Sequence, residues 1–101
     1  MANKIQVHGD HVEVMLSGEL TFSSYRDFQD VIKSATEAGP KACIIDLSAL
    51  EAIDSAGIGM LLYASDETKQ IDINLKLRGA KGMVKTVLEH TKIGEVIPMV
   101  A

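Results

Sequence analysis

The chain has 101 residues, and 14 acidic against 10 basic residues give a formal charge of -4, with 47% hydrophobic and 24% charged content. These are the proportions of one globular domain, residues 1–101, with no room for a second. They argue against a nucleic-acid surface, because the few Lys and Arg are scattered from Lys4 to Lys92 and only two Phe and two Tyr could stack on bases.

Ile5 and Val7, then Val12, Val14 and Leu16, recur at every second position around Gly9-Asp10. That period predicts two half-buried strands joined as a hairpin. After Gly18 the spacing changes, and Tyr25, Phe28, Ile32 and Ala35 fall on one helical face, with Thr21, Ser23 and Ser24 as candidate N-caps. Gly39-Pro40 ends that helix. The apolar run Ala42-Cys43-Ile44-Ile45, continued by Leu47, predicts a central strand covered on both faces. Residues 55–70 then predict a second helix, with Ile58, Leu61, Leu62 and Ser65 on its buried stripe and Met60 and Tyr63 beside it as possible interface anchors.

Ile73, Leu75 and Leu77 alternate with polar residues in a strand ending at Gly79. Met83, Val84, Val87 and Leu88 mark a third helix, closed by Gly94, and residues 96–100 suggest a short terminal strand that Pro98 would keep at an edge. Strands alternating with single helices imply parallel pairs joined by right-handed crossovers. The expected fold is α/β, with a mixed four- to five-stranded sheet, an N-terminal hairpin and about three helices.

No apolar run approaches the roughly 20 residues of a membrane span, and no signal-peptide core follows Met1-Ala2-Asn3-Lys4. The chain is expected to be cytoplasmic and not to insert in a membrane. Its one cysteine, Cys43, excludes an intramolecular disulfide and reads as a small core residue. His8 and His11 flank a tight turn and His90 is distant in sequence, so no metal site is expected. Neither a Gly-x-Ser-x-Gly elbow nor a phosphate loop occurs, so no catalytic residue and no cofactor is assigned.

The segment from Leu50 to Leu61 joins the central strand to the second helix, at the end of an α/β sheet where ligands usually bind. Ser55 lies at or beside the helix start. Either it caps the helix, with Gly57 and Gly59 allowing close packing, or it presents a hydroxyl where the helix dipole tolerates an added phosphate.

This segment resembles the Asp-Ser-x-Gly-x-Gly motif of STAS domains, the family of bacterial anti-sigma-factor antagonists. The resemblance extends to Val14-Met15-Leu16-Ser17-Gly18-Glu19-Leu20, to Ile44-Ile45-Asp46-Leu47, and to the unit from Leu77-Arg78-Gly79 to Leu88. It implies that Ser55 is the serine phosphorylated by a partner kinase, with Asp54 the acid before it. The implied partner surface comprises Thr21, Ser23, Asp54 and Ser55 with the helical turn Gly57, Ile58, Gly59 and Met60. Thr21 stands where the family often has Asp, and Ala56 where it often has a second serine.

By the same resemblance, the unphosphorylated domain binds a serine kinase of the histidine-kinase-like ATPase fold, an anti-sigma factor, and phosphorylation of Ser55 releases it. A serine phosphatase resets the switch, and nucleotide enters only through the partner. Stand-alone STAS-like domains also resemble accessory subunits of lipid-transporting ABC machines, which is the alternative.

Overall fold

The computed structural model describes residues 1–100. Strands β1 (Ala2–Val7) and β2 (Val12–Leu20) form the N-terminal hairpin, followed by a 3-10 turn (Phe22–Ser24) and helix α1 (Tyr25–Thr36). Then come β3 (Ala42–Ile53), α2 (Ser55–Gln70), β4 (Asn74–Arg78), α3 (Gly82–Thr91), a second 3-10 turn (Ile93–Glu95) and β5 (Met99–Val100). The five strands lie in the order β1-β2-β3-β4-β5. The hairpin is antiparallel and every other pair is parallel. Hence β3 is the central strand and β5, which follows Pro98, is an edge.

The crossovers β2–α1–β3 and β3–α2–β4 step the same way across the sheet, so right-handed connections place α1 and α2 on one face. Burial follows that asymmetry. Val12, Val14, Leu16, Cys43, Ile45, Leu47, Leu75 and Leu77 are buried, while their neighbours Glu13, Met15, Ile44, Asp46 and Arg78 are only half-buried. The central strand is therefore not equally covered on both faces, as its unbroken apolar run had suggested. On the opener face Arg78 bridges two carboxylates, Asp46 at 2.9 Å and Glu13 at 3.2 Å.

β3 is longer than its apolar run. It pairs Met15 with Asp46 but Ser17 with Ala49, and Gly18 with Leu50 but Glu19 with Ala52. Two extra residues in β3 break the alternation, and beyond Leu47 the buried positions are Leu50 and Ile53, three apart. A bulged strand bends, and here the bend lies just ahead of α2. Gly18, at φ 81°, occupies the left-handed region beside the second irregularity, where other residues are strained.

The helices shift their predicted stripes by a residue or so. α1 buries Phe28, Val31, Ile32 and Ala35, and leaves Tyr25 exposed. α2 has the expected bounds but buries Gly57, Met60, Leu61, Ala64, Ser65 and Thr68, while Leu62 faces outward. In α3 Val84 and Leu88 are buried and Met83 is exposed. That helix ends at Lys92, which takes the left-handed cap conformation at φ 56°, and not at Gly94, which lies inside the following 3-10 turn.

Candidate functional site

The parallel partners β2 and β3 end side by side, with Leu20 paired to Ile53. Two loops leave the sheet together there, one into the 3-10 turn before α1 and one into α2. Asp54 ties them. Its N–H donates to the Leu20 carbonyl at 3.3 Å, its Oδ1 accepts from the Gly57 N–H at 2.8 Å, and its Oδ2 accepts from the Phe22 N–H at 3.3 Å. Its own carbonyl takes the first intrahelical bond, from Ile58 N–H at 3.1 Å. Asp54 is thus the N-cap of α2 and a strap across to the neighbouring loop.

With the cap supplied by Asp54, Ser55 is left as the first helical residue, exposed. Among the described residues its hydroxyl has no hydrogen-bond partner within the protein. A structural capping role therefore belongs to Asp54. The first-turn N–H groups of Gly57 and Ile58 are already engaged by Asp54, and those of Ser55 and Ala56 point to the helix start without intrahelical acceptors.

Gly57 is required sterically. A Cβ at this position would lie 2.3 Å from the Leu20 carbonyl oxygen and 2.6 Å from Cγ1 of Ile53, so only glycine lets α2 approach the strand ends this closely. Gly59 is different, since a Cβ there would meet nothing within 4 Å.

Beside Ser55 lies an apolar concavity lined by Phe22, Tyr25, Ala56, Gly59 and Tyr63, with one edge of Met60. Phe22 is 80% exposed, Tyr25 53% and Tyr63 37%. Two hydroxyl contacts hold the tyrosines: Gln29 Nε2 donates to Tyr25 at 2.9 Å, and Tyr63 donates to Glu67 at 2.9 Å, which raises the tyrosine pKa. Exposed aromatic side chains grouped around a shallow depression are the composition of a protein-contact patch.

The predicted site residues converge on this end of the sheet to different degrees. Thr21 and Ser23 stand in the loop bridged to Asp54, and their hydroxyls lie 3.2 Å apart. Ser24, a third candidate cap, is buried instead: its Oγ donates to the Glu19 carbonyl at 3.0 Å and accepts from Thr21 N–H at 3.2 Å. Met60, at 4% exposed, is mainly a core side chain. Ile58 is half-buried against the core.

Phe22 is the residue that the sequence does not reveal, and Tyr25, which spacing sets on the same helical face as Phe28, is exposed. Phe22 sits outside the helical spacing between two polar residues, Thr21 and Ser23, and that isolation was the available signal. A group able to hold a metal lies elsewhere, at the β1–β2 turn. There the structure adds Glu13 to His8 and His11, a grouping the sequence had not suggested.

A family model for the STAS domain matches residues 3–101. The chain belongs to the STAS domain family. No curated protein matches it significantly. Among solved structures it is similar to an anti-sigma factor antagonist from Mycobacterium paratuberculosis, at 19% identity and a TM-score of 0.86 over 97% of this chain and 83% of that one. The phosphorylated form of the Bacillus cell-fate determinant SpoIIAA gives 20% identity and a TM-score of 0.71 over 99% and 92%. A Ser-to-Glu form of RsbS from Moorella thermoacetica gives 22% and 0.76 over 99% and 86%. At these identities the likeness establishes the STAS fold, an α/β sheet of five strands with three helices. Among the described residues no helix is long and apolar enough to cross a membrane.

Proposed function

We propose that this STAS domain is a phosphorylation-controlled protein-binding switch, and not an enzyme. In its unmodified state the face around Ser55 binds a serine kinase of the histidine-kinase-like ATPase type that doubles as an anti-sigma factor. Phosphorylation of Ser55 releases that partner, and a serine phosphatase restores binding. The observation that carries this reading is the division of labour at the start of α2: Asp54 makes the capping bonds and Ser55 is exposed beside an apolar patch. Similar solved structures of anti-sigma factor antagonists, with SpoIIAA among them in both unphosphorylated and phosphorylated forms, lend support.

The physics favours release without unfolding. A phosphate adds about 1.5 to 2 negative charges, and the helix dipole with the first-turn N–H groups of Ser55 and Ala56 stabilises that charge in the domain itself. The same charge beside the Phe22 and Tyr25 rings must be desolvated if a partner is to cover the patch, at a cost of several kcal/mol when unpaired. The Asp54 carboxylate next to it adds like-charge repulsion for an acidic partner surface.

The test is intact-mass spectrometry of the protein from its native cells in two growth conditions, with fragmentation to locate phosphate, alongside capture of the ATPase partner on immobilised Ser55→Ala and Ser55→Asp variants. Phosphate on Ser55 in one condition is expected, with at least tenfold less partner retained by Ser55→Asp than by Ser55→Ala. An unmodified chain in both conditions, bound equally by an ATPase whatever stands at position 55, overturns the switch and leaves the accessory-subunit reading.

A further inference from the structure

The β1–β2 turn brings one nitrogen from each of His8 and His11 and a carboxylate oxygen of Glu13 within 4.8 Å of one another. The backbone arranges this. His8 N–H donates to the His11 carbonyl at 2.8 Å across the Gly9-Asp10 turn, which makes the two histidines a facing pair whose rings stack with centroids 4.5 Å apart. Glu13, on β2, lies two residues beyond His11. Nε2 of His11 lies 3.3 Å, and Nε2 of His8 3.8 Å, from the same atom, Oε1 of Glu13.

The second nitrogen of His11 identifies what this space wants. Nδ1 lies 2.8 Å from Oδ1 of Asp10. An ionised carboxylate only accepts hydrogen bonds, so Nδ1 carries the proton and, in the neutral ring, Nε2 carries the lone pair. That lone pair faces another acceptor, Glu13 Oε1. A proton on Nε2 bridges the two in the imidazolium, and a metal ion can take the place of that proton in the neutral ring. A carboxylate holding the far nitrogen of an imidazole is also the usual outer arrangement of a metal-binding histidine.

Local charge points the same way. Glu13 shares the Arg78 guanidinium with Asp46, and Asp10 adds a further carboxylate against His11. Tetrahedral zinc with ligands at about 2.0–2.2 Å would set ligand atoms about 3.3–3.5 Å apart; the carboxylate–imidazole separations of 3.3 and 3.8 Å are near this, and the stacked rings turn out of parallel to aim both lone pairs at one ion.

We propose that His8, His11 and Glu13 form a binding site for a borderline divalent cation of the Zn2+ class, with Asp10 as a positioning residue. Imidazole and carboxylate ligands suit that class, and three protein ligands leave a fourth position for water. The site lies at the N-terminal end of β2, and Ser55 lies near its C-terminal end. Metal binding therefore acts on the hairpin and leaves the Ser55 face open.

The test is calorimetric titration of the full chain with Zn2+ in a non-chelating buffer, together with nitrogen-15 chemical shifts of the histidine rings. One Zn2+ per chain is expected, with the Nε2 signals of His8 and His11 shifted and those of His90 unmoved. His11→Ala, His8→Ala and Glu13→Gln should each weaken binding at least tenfold, and His90→Ala should leave it unchanged. Asp10→Asn should weaken it several-fold and alter the His11 tautomer signature. Absence of binding at 100-fold excess of Zn2+ over protein, or undiminished binding by a folded His8→Ala/His11→Ala double variant, overturns the proposal.

Discussion

Gly57 and Gly59 are separated by one residue in α2, yet they answer to different constraints. A methyl at 57 would strike the Leu20 carbonyl and the Ile53 side chain, both fixed by the β2–β3 pairing. Gly57→Ala is expected to lower unfolding free energy by about 1–3 kcal/mol, the range for overpacking. A methyl at 59 enters open space, so Gly59→Ala should be neutral or stabilising by up to about 1 kcal/mol through helix propensity. Urea titration of both variants checks the contrast, and equal effects would refute it. Cys43 is decided by burial alone, which pushes its thiol up to about 11 and keeps it protonated and unreactive at neutral pH.

At the scale of elements, the ladder from β2 through β3 to β4 is cross-linked on its opener face by the Glu13–Arg78–Asp46 group. Burial alone would raise the Asp46 pKa, but Ser48, donating from both its N–H and its hydroxyl, and the Arg78 guanidinium outweigh it and hold the carboxyl below its ordinary value. A depressed carboxylate contributes stability that is complete above the unfolded value of about 3.9 and is lost as pH falls through the lower native value. The urea midpoint of the wild-type chain should therefore fall as pH drops below about 4. Asp46→Asn should start from a lower midpoint at pH 7 and lose less of it between pH 5 and pH 2. Parallel acid profiles for the two proteins would show that the Asp46 carboxylate, with its Ser48 and Arg78 partners, contributes nothing.

Much of this level was legible in the chain. Both bounds of α2 follow from residues 55–70, and β4 from the alternation of Leu75 and Leu77. The far half of β3 was not legible, because its two bulges remove the period of two by which a strand is recognised. The stripes of α1 and α2 were displaced for a related reason. Spacing names a face of the helix but not its centre, and Tyr25 and Leu62 lie at the margins that the sheet leaves uncovered.

For the whole molecule, the core and the apolar patch share Met60, but the exposed aromatic rings of the patch are not core residues. Phe22 and Tyr25 stand outside the buried cluster. A Phe22→Ser/Tyr25→Ser variant should therefore keep its urea midpoint, with stability changed by no more than about 0.5 kcal/mol per site, while, under the proposed switch, capture of the proposed ATPase partner falls at least tenfold. A large loss of stability would show that the aromatic rings are structural, and unchanged capture would move the interface elsewhere.

By itself the sequence determined the succession of strands and helices, the α/β class and the motif around Ser55. The first two are recorded in spacings of two to four residues and in turn-forming dipeptides, which local sterics read directly; the motif is carried by its resemblance to STAS domains. Only the tertiary structure decided that Asp54 caps α2 and reaches Phe22, 32 residues earlier, leaving Ser55 exposed. It alone brought Arg78 to Glu13 across 65 residues and gathered Glu13 with the turn histidines. Such contacts arise from strand register and crossover handedness, which no short window of sequence contains.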